Sequence, residues 1–459
     1  MATIKNEQEL LNNARSSIDR KARQLAINAL NAALKAADAK NIIRSKVRVE
    51  KNSLKIGELA FNLGEFKNVF VVGGGKASGC MAEAIEELLG DRIKDGAINV
   101  PYASPTYETK RVKLEHASHP VPDIAGVKSA KRILDLASQA EENDLLICLL
   151  SGGGSSLMPQ PSAGVSLRDK RRVTDALLKS GATINEINAV RKHISAFKGG
   201  WLAKRTYPAT VVNLILSDVV GDPLDTIASG PTVPDSSTFQ DAIDVLKRYG
   251  LWNKTPTSVK KALLNGKKGL IPETPKAGDK AFEKVHNIVI GNNMTASLAA
   301  YNSLKNAGLH TLLLSSCLEG QARDVGTMFA SITKEIVASG NPIPKPAGIV
   351  AGGETTVTVV GKGKGGRNQE IALGAALKIA NIDGMVITSL STDGVDGPTD
   401  AAGALADGKT ILRANELGLN PRKFLLENDS YSFFSKLGDL IFTGVTGTNV
   451  DDISIITVL

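Results

Sequence analysis

Residues 145–156 read LLICLLSGGGSS, six apolar residues that run without interruption into serines and glycines. An unbroken apolar run of this length is typical of a strand that is buried on both faces, as in a parallel sheet covered by helices. The same arrangement recurs in VFVVGGGKAS at residues 69–78 and in VVNLILSD at residues 211–218. Helical patterns occupy the intervening stretches, for example residues 168–180. The sequence therefore predicts an α/β fold built around a parallel sheet.

The length of the chain predicts two domains, because 459 residues exceed the size at which a single hydrophobic core usually stops growing. The first is predicted to span residues 1–251 and to begin with one long amphipathic helix over residues 7–37, where leucines and alanines recur at helical spacing. Lysine, proline and glycine accumulate in residues 252–284, which we interpret as a connector. A second α/β pattern predicts a smaller domain over residues 285–459.

The composition argues against several classes of partner. The net charge is +8, but the basic residues are dispersed and only 4% of the residues are aromatic, so no nucleic-acid partner is predicted. The three cysteines have neither a disulfide-type pattern nor zinc-type spacing. No apolar run approaches the ~18 residues of a membrane span, and the polar beginning lacks a signal-peptide core. We therefore expect a soluble, cytoplasmic protein without a membrane partner, and we leave open whether it is a homodimer.

Three glycine-rich turns are candidate anion sites, because backbone N–H groups at a strand-to-helix turn can hold an anion. The first turn contains Lys76, the second spans residues 151–156, and the third precedes Arg367. The first turn fits neither the P-loop nor the dinucleotide fingerprint, since Phe70 and Ser78 stand where glycines are required. For each turn the alternative is a purely structural role. The candidate residues for binding substrate or phosphate are Gly74, Gly75, Ser78, Ser151, Gly152, Gly153, Gly154, Ser155, His119 and Glu354.

Acidic residues also follow predicted strands, at the edge of a parallel sheet where ligands bind. Asp218 and Asp222 follow a strand of the first domain, and Asp393 and Asp396 follow one of the second. Carboxylates in such loops suit a divalent metal ion or a base that accepts a hydroxyl proton. We predict Asp218 as a catalytic residue, with Asp393 as the alternative base, and Asp222, Asp393 and Asp396 as candidate metal ligands. The competing interpretation is that Asp-Gly segments simply form turns.

Together these segments resemble the class II glycerate kinases, the glycerate 2-kinase family, whose motifs they match in order along nearly the whole chain. The matching segments are GGGKAS (73–78), HPVPD (119–123), LSGGGSS (150–156), SDVVGD (217–222), SGPT (229–232), GGETT (352–356), GGRNQE (365–370) and TDGVDG (392–397). The resemblance implies a large Rossmann-like N-terminal domain with a parallel sheet, a smaller C-terminal α/β domain called MOFRL, and an active site in the cleft between them.

The resemblance also implies ATP-dependent phosphorylation of D-glycerate at the 2-hydroxyl, giving 2-phosphoglycerate and ADP, with Mg²⁺ or a similar divalent cation. It implies that Lys76 and Arg367 are active-site residues. One cation would anchor the carboxylate of the acceptor, and another would stabilise the transferring phosphoryl group. The choice of the 2-hydroxyl rests on the resemblance alone. Two alternatives remain: a hydroxypyruvate reductase, a name that some family members carry, and a non-catalytic sensor of small anions.

Overall fold

The structure is a computed structural model that describes residues 3–459. Short strands and long strands alternate with helices along the chain. The strands within residues 3–459 are β1 (Val47–Glu50), β2 (Ser53–Ile56), β3 (Leu59–Asn62), β4 (Asn68–Gly74), β5 (Ile93–Pro101), β6 (Val112–Ala117), β7 (Asp144–Ser151), β8 (Thr210–Leu216), β9 (Val285–Gly291), β10 (His310–Leu318), β11 (Ala347–Gly353), β12 (Met385–Ser391), β13 (Gly403–Asp407), β14 (Leu440–Ile441) and β15 (Asp452–Val458).

The helices vary from a single turn to 21 residues in α2. They are α1 (Glu7–Asn12), α2 (Ser17–Ala37), α3 (Ala39–Lys46), α4 (Ser78–Leu89), α5 (Ile124–Ala137), α6 (Gly154–Leu157), α7 (Leu167–Lys179), α8 (Ile184–His193), α9 (Trp201–Thr206), α10 (Phe239–Arg248), α11 (Thr257–Lys267), α12 (Asn293–Asn306), α13 (Ala322–Ser339), α14 (Arg367–Ile379), α15 (Thr410–Glu416), α16 (Pro421–Leu426) and α17 (Ser430–Leu437). Among the helices of the described chain, none is both long enough and apolar enough to cross a membrane.

The chain divides into two compact units that differ from the linear division predicted above. One unit, called the middle unit here, is Ile42–Ile290; the other, the terminal unit, combines Met1–Asn41 with Gly291–Leu459. The N-terminal segment therefore belongs with the C-terminal half of the chain. Sequence patterns report local structure, whereas this grouping depends on contacts between residues several hundred positions apart.

The middle unit contains a six-stranded sheet with the order β6-β5-β4-β7-β8-β9. The four neighbouring pairs from β6 to β8 are parallel. Every residue of β7 is buried, which explains its unbroken apolar sequence. The predicted α/β fold with a parallel sheet is confirmed. Because β4 and β7 are parallel neighbours, the glycine turns that follow them lie side by side at the carboxyl edge of the sheet.

The predicted connector is folded structure within the middle unit. Helix α11 lies inside residues 252–284 and buries Val259 and Leu263. These side chains join a hydrophobic cluster with Phe239 and Leu246 of α10. Strand β9, which we assigned to the second domain, completes the edge of the middle unit's sheet. The lysines and prolines of this segment lie on a surface that covers a core, so composition alone misidentified it as a linker.

The terminal unit contains a second six-stranded sheet, with the order β10-β11-β15-β12-β13-β14. Only β10 and β11 pair in parallel, and the remaining pairs from β11 to β14 are antiparallel. Strand β15 lies in the centre and is buried over most of its length. The last strand of the chain therefore organises this sheet. Residues 356–360 read TVTVV, a pattern that favours a strand, but they form a loop in which Val359 and Val360 are exposed.

Within the terminal unit, buried polar contacts hold helix α2 against residues from the C-terminal part of the chain. Arg23 donates to Asp407 Oδ2 (2.8 Å), to Asp439 Oδ1 (2.8 Å) and to the carbonyl oxygen of Leu10 (2.6 Å). Arg413 also donates to Asp439, so that two guanidinium groups face two carboxylates in the interior. The single helix predicted over residues 7–37 is interrupted at residues 13–16, where the Ser16 side chain caps α2.

Candidate active site

The first two glycine turns interlock in the middle unit. The backbone N–H of Lys76 donates to the carbonyl oxygen of Gly152 (2.8 Å), and that of Ala77 donates to Ser151 Oγ (3.0 Å). The hydroxyl groups of Ser78 and Ser151 lie 3.0 Å apart and are buried. Two of the predicted phosphate-binding residues, Ser78 and Ser151, thus tie one turn to the other, and their predicted contact with a ligand stays a prediction.

The glycines of the second turn leave space that three of the predicted site residues occupy. A Cβ atom at Gly152 would overlap the carboxylate of Asp218. At Gly153, where φ is +82°, a Cβ would lie 2.9 Å from the ring of His119 and 3.5 Å from Cγ of Lys76. Three predicted site residues, Lys76, His119 and Asp218, therefore surround the same two glycines. Only glycine permits this approach of side chains to the backbone.

A cluster of basic side chains surrounds Ser155 in the same turn. Lys198 Nζ donates to the carbonyl oxygen (2.6 Å) and to Oγ (2.9 Å) of Ser155. Arg191 also donates to Ser155 Oγ, which lies 2.8 Å from Ser229 Oγ. Lys170 reaches the same region from α7 and lies 3.4 Å from the carbonyl oxygen of Gln160. We call Lys170, Arg191 and Lys198 the cation cluster.

The cation cluster lines a cavity of about 620 Å³, together with His119, Gly153 and Ser155. Lys170 and Lys198 are 4% and 1% exposed. Burial, and then the charge of Arg191, hold the pKa of both lysines well below the ordinary value. Burial lowers the pKa of Arg191 to about 10. Basic residues therefore outnumber the one acidic residue, Asp175, in the lining of the cavity.

Sequence reasoning did not identify Lys170, Arg191 or Lys198 as candidate site residues. Lys170 is one of several basic residues in α7, and nothing in the local pattern distinguishes it from its exposed neighbours Arg171 and Arg172. Lys198 did carry a signal, because it borders Gly199 and Gly200, as Lys76 borders Gly75. Both of these glycines have positive φ, at +59° and +85°.

In the terminal unit, Arg367 is the first residue of α14 and is held by two carboxylates. Its Nε and Nη2 atoms donate to Asp452 at 2.5 and 3.0 Å, and Nη1 donates to Glu354 at 2.6 Å. Burial disfavours the charged form, but the facing Asp452 carboxylate outweighs this and raises the pKa of Arg367. The guanidinium is thus fixed in orientation and its charge is offset. No sequence motif marked Asp452 as a site residue, because it is the first residue of the apolar strand β15.

The side chain of Asp396, a predicted metal ligand, lies against the N-terminus of α14. Its two carboxylate oxygens accept the backbone N–H groups of Asn368 (3.1 Å) and Gln369 (2.9 Å). Burial, and then the charge of Asp452, raise the pKa of Asp396 to about 7. The structure therefore uses this carboxylate as an acceptor at a helix N-terminus.

Asp393, a second predicted metal ligand, lies in a turn. Asp393 Oδ1 accepts Ser391 Oγ (2.9 Å) and the backbone N–H of Val395 (3.0 Å), which is the geometry of a turn. Within residues 3–459, no group of three or more His, Cys, Asp or Glu side chains is arranged to hold a metal ion. The protein groups described here therefore do not form a complete metal cage, and the predicted metal role of Asp222, Asp393 and Asp396 stays a prediction.

Two family models match the chain. A domain of unknown function, DUF4147, matches residues 25–264, and the MOFRL family matches residues 347–452. A glycerate 2-kinase from Pyrococcus horikoshii is 43% identical over 94% of this chain and 96% of its own length. A D-glycerate 2-kinase from Thermotoga maritima is 46% identical over 84% of this chain and 90% of its own. This chain belongs to the glycerate 2-kinase family.

A solved structure supports the same assignment. The crystal structure of a glycerate kinase from Thermotoga maritima has a TM-score of 0.84 and 42% sequence identity, and it covers 95% of this chain and 99% of its own. The predicted family, the two-domain α/β fold class and the kinase class are confirmed. The DUF4147 match contains Lys76, Asp218 and the cation cluster, and the MOFRL match contains Arg367 and Asp452.

The reductase alternative is not better supported than the kinase. A relative from Agrobacterium vitis, named a putative hydroxypyruvate reductase, is 42% identical over 84% of this chain and 86% of its own. Its identity does not exceed that of the relatives named as kinases. Ser78 occupies the position of the third glycine of a dinucleotide fingerprint, and its hydroxyl donates to the carbonyl oxygen of Leu149 (3.0 Å). Here the turn is tied to a neighbouring strand by a side chain that glycine lacks.

Proposed function

We propose that this protein transfers the γ-phosphoryl group of ATP to the 2-hydroxyl of D-glycerate, giving 2-phosphoglycerate and ADP. The observation that carries the proposal is the pair of relatives named glycerate 2-kinases, which are 43% and 46% identical over most of the chain. Identity at this level extends through both matched regions rather than one motif. The choice of the 2-hydroxyl comes from the names of these relatives.

The proposed chemistry places Asp218 as the base. The hydroxyl oxygen at C2 attacks the γ-phosphorus, the bond between that phosphorus and the leaving ADP oxygen breaks, and the hydroxyl proton passes to the Asp218 carboxylate. The contact of Asp218 with Gly152 supports this role, because it brings the carboxylate to a glycine turn whose backbone N–H groups suit an anion. Asp393 remains the alternative base.

Lys76 and Arg367 are proposed to stabilise the negative charge of the ligands. Phosphoryl transfer depends on positioning and charge stabilisation more than on covalent chemistry, so fixed cations are the groups it requires. Lys76 lies against the second glycine turn beside His119. Asp452 accepts from Nε and Nη2 of Arg367, and Glu354 accepts from Nη1. The second N–H of each terminal nitrogen would be the group that a ligand engages.

ATP is the proposed donor, and Mg²⁺ or a similar cation the proposed cofactor. Magnesium in kinases is usually held by one or two carboxylates together with substrate phosphates and water, so it needs no protein cage. When bound, the ion would neutralise phosphate charge. We further propose that the protein works in the cytoplasm on small molecules, without nucleic-acid or membrane partners. Light scattering would decide whether it is a homodimer.

Product analysis tests the proposal directly. The protein is incubated with D-glycerate, ATP and MgCl₂, and the product is examined by phosphorus–proton correlation NMR. Coupling of phosphorus to the C2 proton is the expected result. Coupling to the C3 protons would retain the kinase and refute the 2-hydroxyl assignment. Absence of any phosphorylated acid, with oxidation of NADH in the presence of hydroxypyruvate, would replace the kinase by the reductase; absence of both activities would favour the anion sensor.

A further inference from the structure

Over the described part of the chain, the cation cluster differs from the other buried Lys and Arg residues in having no carboxylate partner. Five Lys or Arg residues are buried among residues 3–459, and three of them face carboxylates. Arg23 and Arg413 share Asp407 and Asp439, and Lys192 lies 3.3 Å from Asp235. The other two, Lys170 and Lys198, belong to the cation cluster.

No carboxylate of the described residues lies within ion-pair distance of Lys170, Arg191 or Lys198. Their hydrogen bonds go to the oxygens of neutral groups: the carbonyl oxygen of Gln160, the side-chain oxygen of Asn188 and the two oxygens of Ser155. The charges that act on Lys198 are those of Arg191 and Lys170, which repel it. The cluster is therefore a concentration of basic groups in which no carboxylate of the described residues offsets the cost of a positive charge.

Such an arrangement is costly unless a ligand completes it. A buried charge without a partner is strongly destabilising, and groups with perturbed pKa values of this kind concentrate at functional sites. The three side chains come from separate elements, namely α7, α8 and the loop after α8, so no local sequence constraint brings them together. They line a cavity whose volume of about 620 Å³ is in the range of small-molecule sites.

We propose that Lys170, Arg191 and Lys198 form an oxyanion subsite around Ser155, which binds an anionic oxygen group of one of the enzyme's ligands. This inference rests on the proposed function for the identity of those ligands. Two sources share the required chemistry, the phosphates of the nucleotide and the carboxylate of the hydroxy acid. Arg367 is already held by two carboxylates, whereas no carboxylate of the described residues is paired with the basic groups of the cation cluster.

Thermal denaturation of the full-length protein tests this subsite without relying on turnover. Wild type, Lys170→Met and Lys198→Met are melted alone and with inorganic phosphate, a non-hydrolysable ATP analogue or D-glycerate. We expect at least one of these anions to raise the melting temperature of wild type and its apparent Kd to increase at least tenfold in both variants. Without anion, we expect Lys170→Met to melt at or above the wild-type temperature, because it replaces a buried amine that has no carboxylate partner among the described residues by an apolar side chain.

Lys192→Met is the matched control, because Lys192 lies beside Arg191 in α8 and is also buried, but is paired with Asp235. This variant should melt at a lower temperature than wild type and keep the wild-type response to anions. A loss of response confined to phosphate and the ATP analogue identifies the nucleotide as the source, and one confined to D-glycerate identifies the acid.

Two results would overturn the subsite: no response of wild type to any of the three anions, or a wild-type response in both Lys170→Met and Lys198→Met. The outcome is independent of product analysis. An anion response that depends on the cluster would stand even if no 2-phosphoglycerate were formed. If 2-phosphoglycerate is formed but the apparent Kd for each anion is unchanged in Lys170→Met and Lys198→Met, the kinase assignment stands and the subsite is refuted.

Discussion

Replacing Arg23 by Met should destabilise the terminal unit more than any surface change of equal charge. The substitution removes donors to Asp407 and Asp439 and to the carbonyl oxygen of Leu10, all in the interior. Breaking a buried ion pair by removal of one partner costs about 3–5 kcal/mol, because the other charge is left without compensation. Arg413 remains near Asp439, which places the expected loss toward the lower end of that range.

The assay is thermal unfolding followed by calorimetry. For a unit of roughly two hundred residues, each kcal/mol shifts the melting temperature by about 2–4 °C, so about 3 kcal/mol corresponds to about 6–12 °C. Arg15→Met is the control, since Arg15 pairs with Glu416 at 2.5 Å with both side chains about half exposed. An exposed pair of this kind contributes about 0–1 kcal/mol.

Acid should diminish the difference between Arg23→Met and wild type. Burial opposes ionisation of Asp439, but Arg23 and Arg413 outweigh it and lower the pKa of this carboxyl group below its ordinary value. A carboxylate with a depressed folded-state pKa contributes stability above the unfolded-state pKa, and that contribution is lost as the pH falls through the folded-state value. A loss below about 1 kcal/mol at neutral pH in Arg23→Met, or no more than that of Arg15→Met, would refute the reasoning.

Three further predictions concern the candidate site. Lys76→Met should lower kcat by about 10²–10³-fold with little change in melting temperature; Lys204→Met, which removes an exposed ion pair with Asp279, should leave kcat unchanged, and equal rates in both variants would contradict the role of Lys76. Gly153→Ala and Gly164→Ala, at φ values of +82° and +79°, should both lower stability by about 1 kcal/mol. Only Gly153→Ala should reduce turnover in a steady-state assay, because its Cβ would press on His119 whereas Gly164 has open space; equal turnover would remove the steric argument. Since the pKa of Asp396 is raised to about 7 from 3.8, its contribution to stability is present below pH 3.8 and is lost as the pH rises through about 7. The melting temperature of wild type should therefore fall relative to Asp396→Asn over that interval, and parallel melting curves would show that Asp396 does not titrate there.

The sheet of the middle unit could be predicted because its information is local. The apolar runs of β4 and β7 are continuous, and each ends at a glycine turn, so both the strands and the edge that carries the turns follow from short stretches of sequence. Lys76 and Asp218 could be predicted as candidate site residues for the same reason. They follow buried strands closely, and a charged residue at that edge of a parallel sheet is a candidate ligand-binding residue.

The parts that could not be predicted depend on long-range contacts. The assignment of α2 to the terminal unit is determined by Arg23, whose carboxylate partners lie 384 and 416 positions away in sequence. The cation cluster is similar, because Lys170 looks like any basic residue of an amphipathic helix until the fold buries it. Asp452 was invisible as a partner of Arg367, since 85 residues separate them.

The division of the chain into units has a consequence for synthesis on the ribosome. The middle unit is an insertion within the terminal unit, so α2 is made long before β15, to which Thr457 Oγ1 links it through the carbonyl oxygen of Ala22 (3.1 Å). Residues 42–290 contain a whole sheet and can fold as they emerge, since domains generally fold as units during translation. The apolar face of α2 therefore stays uncovered on the nascent chain until the later residues of the terminal unit have been made.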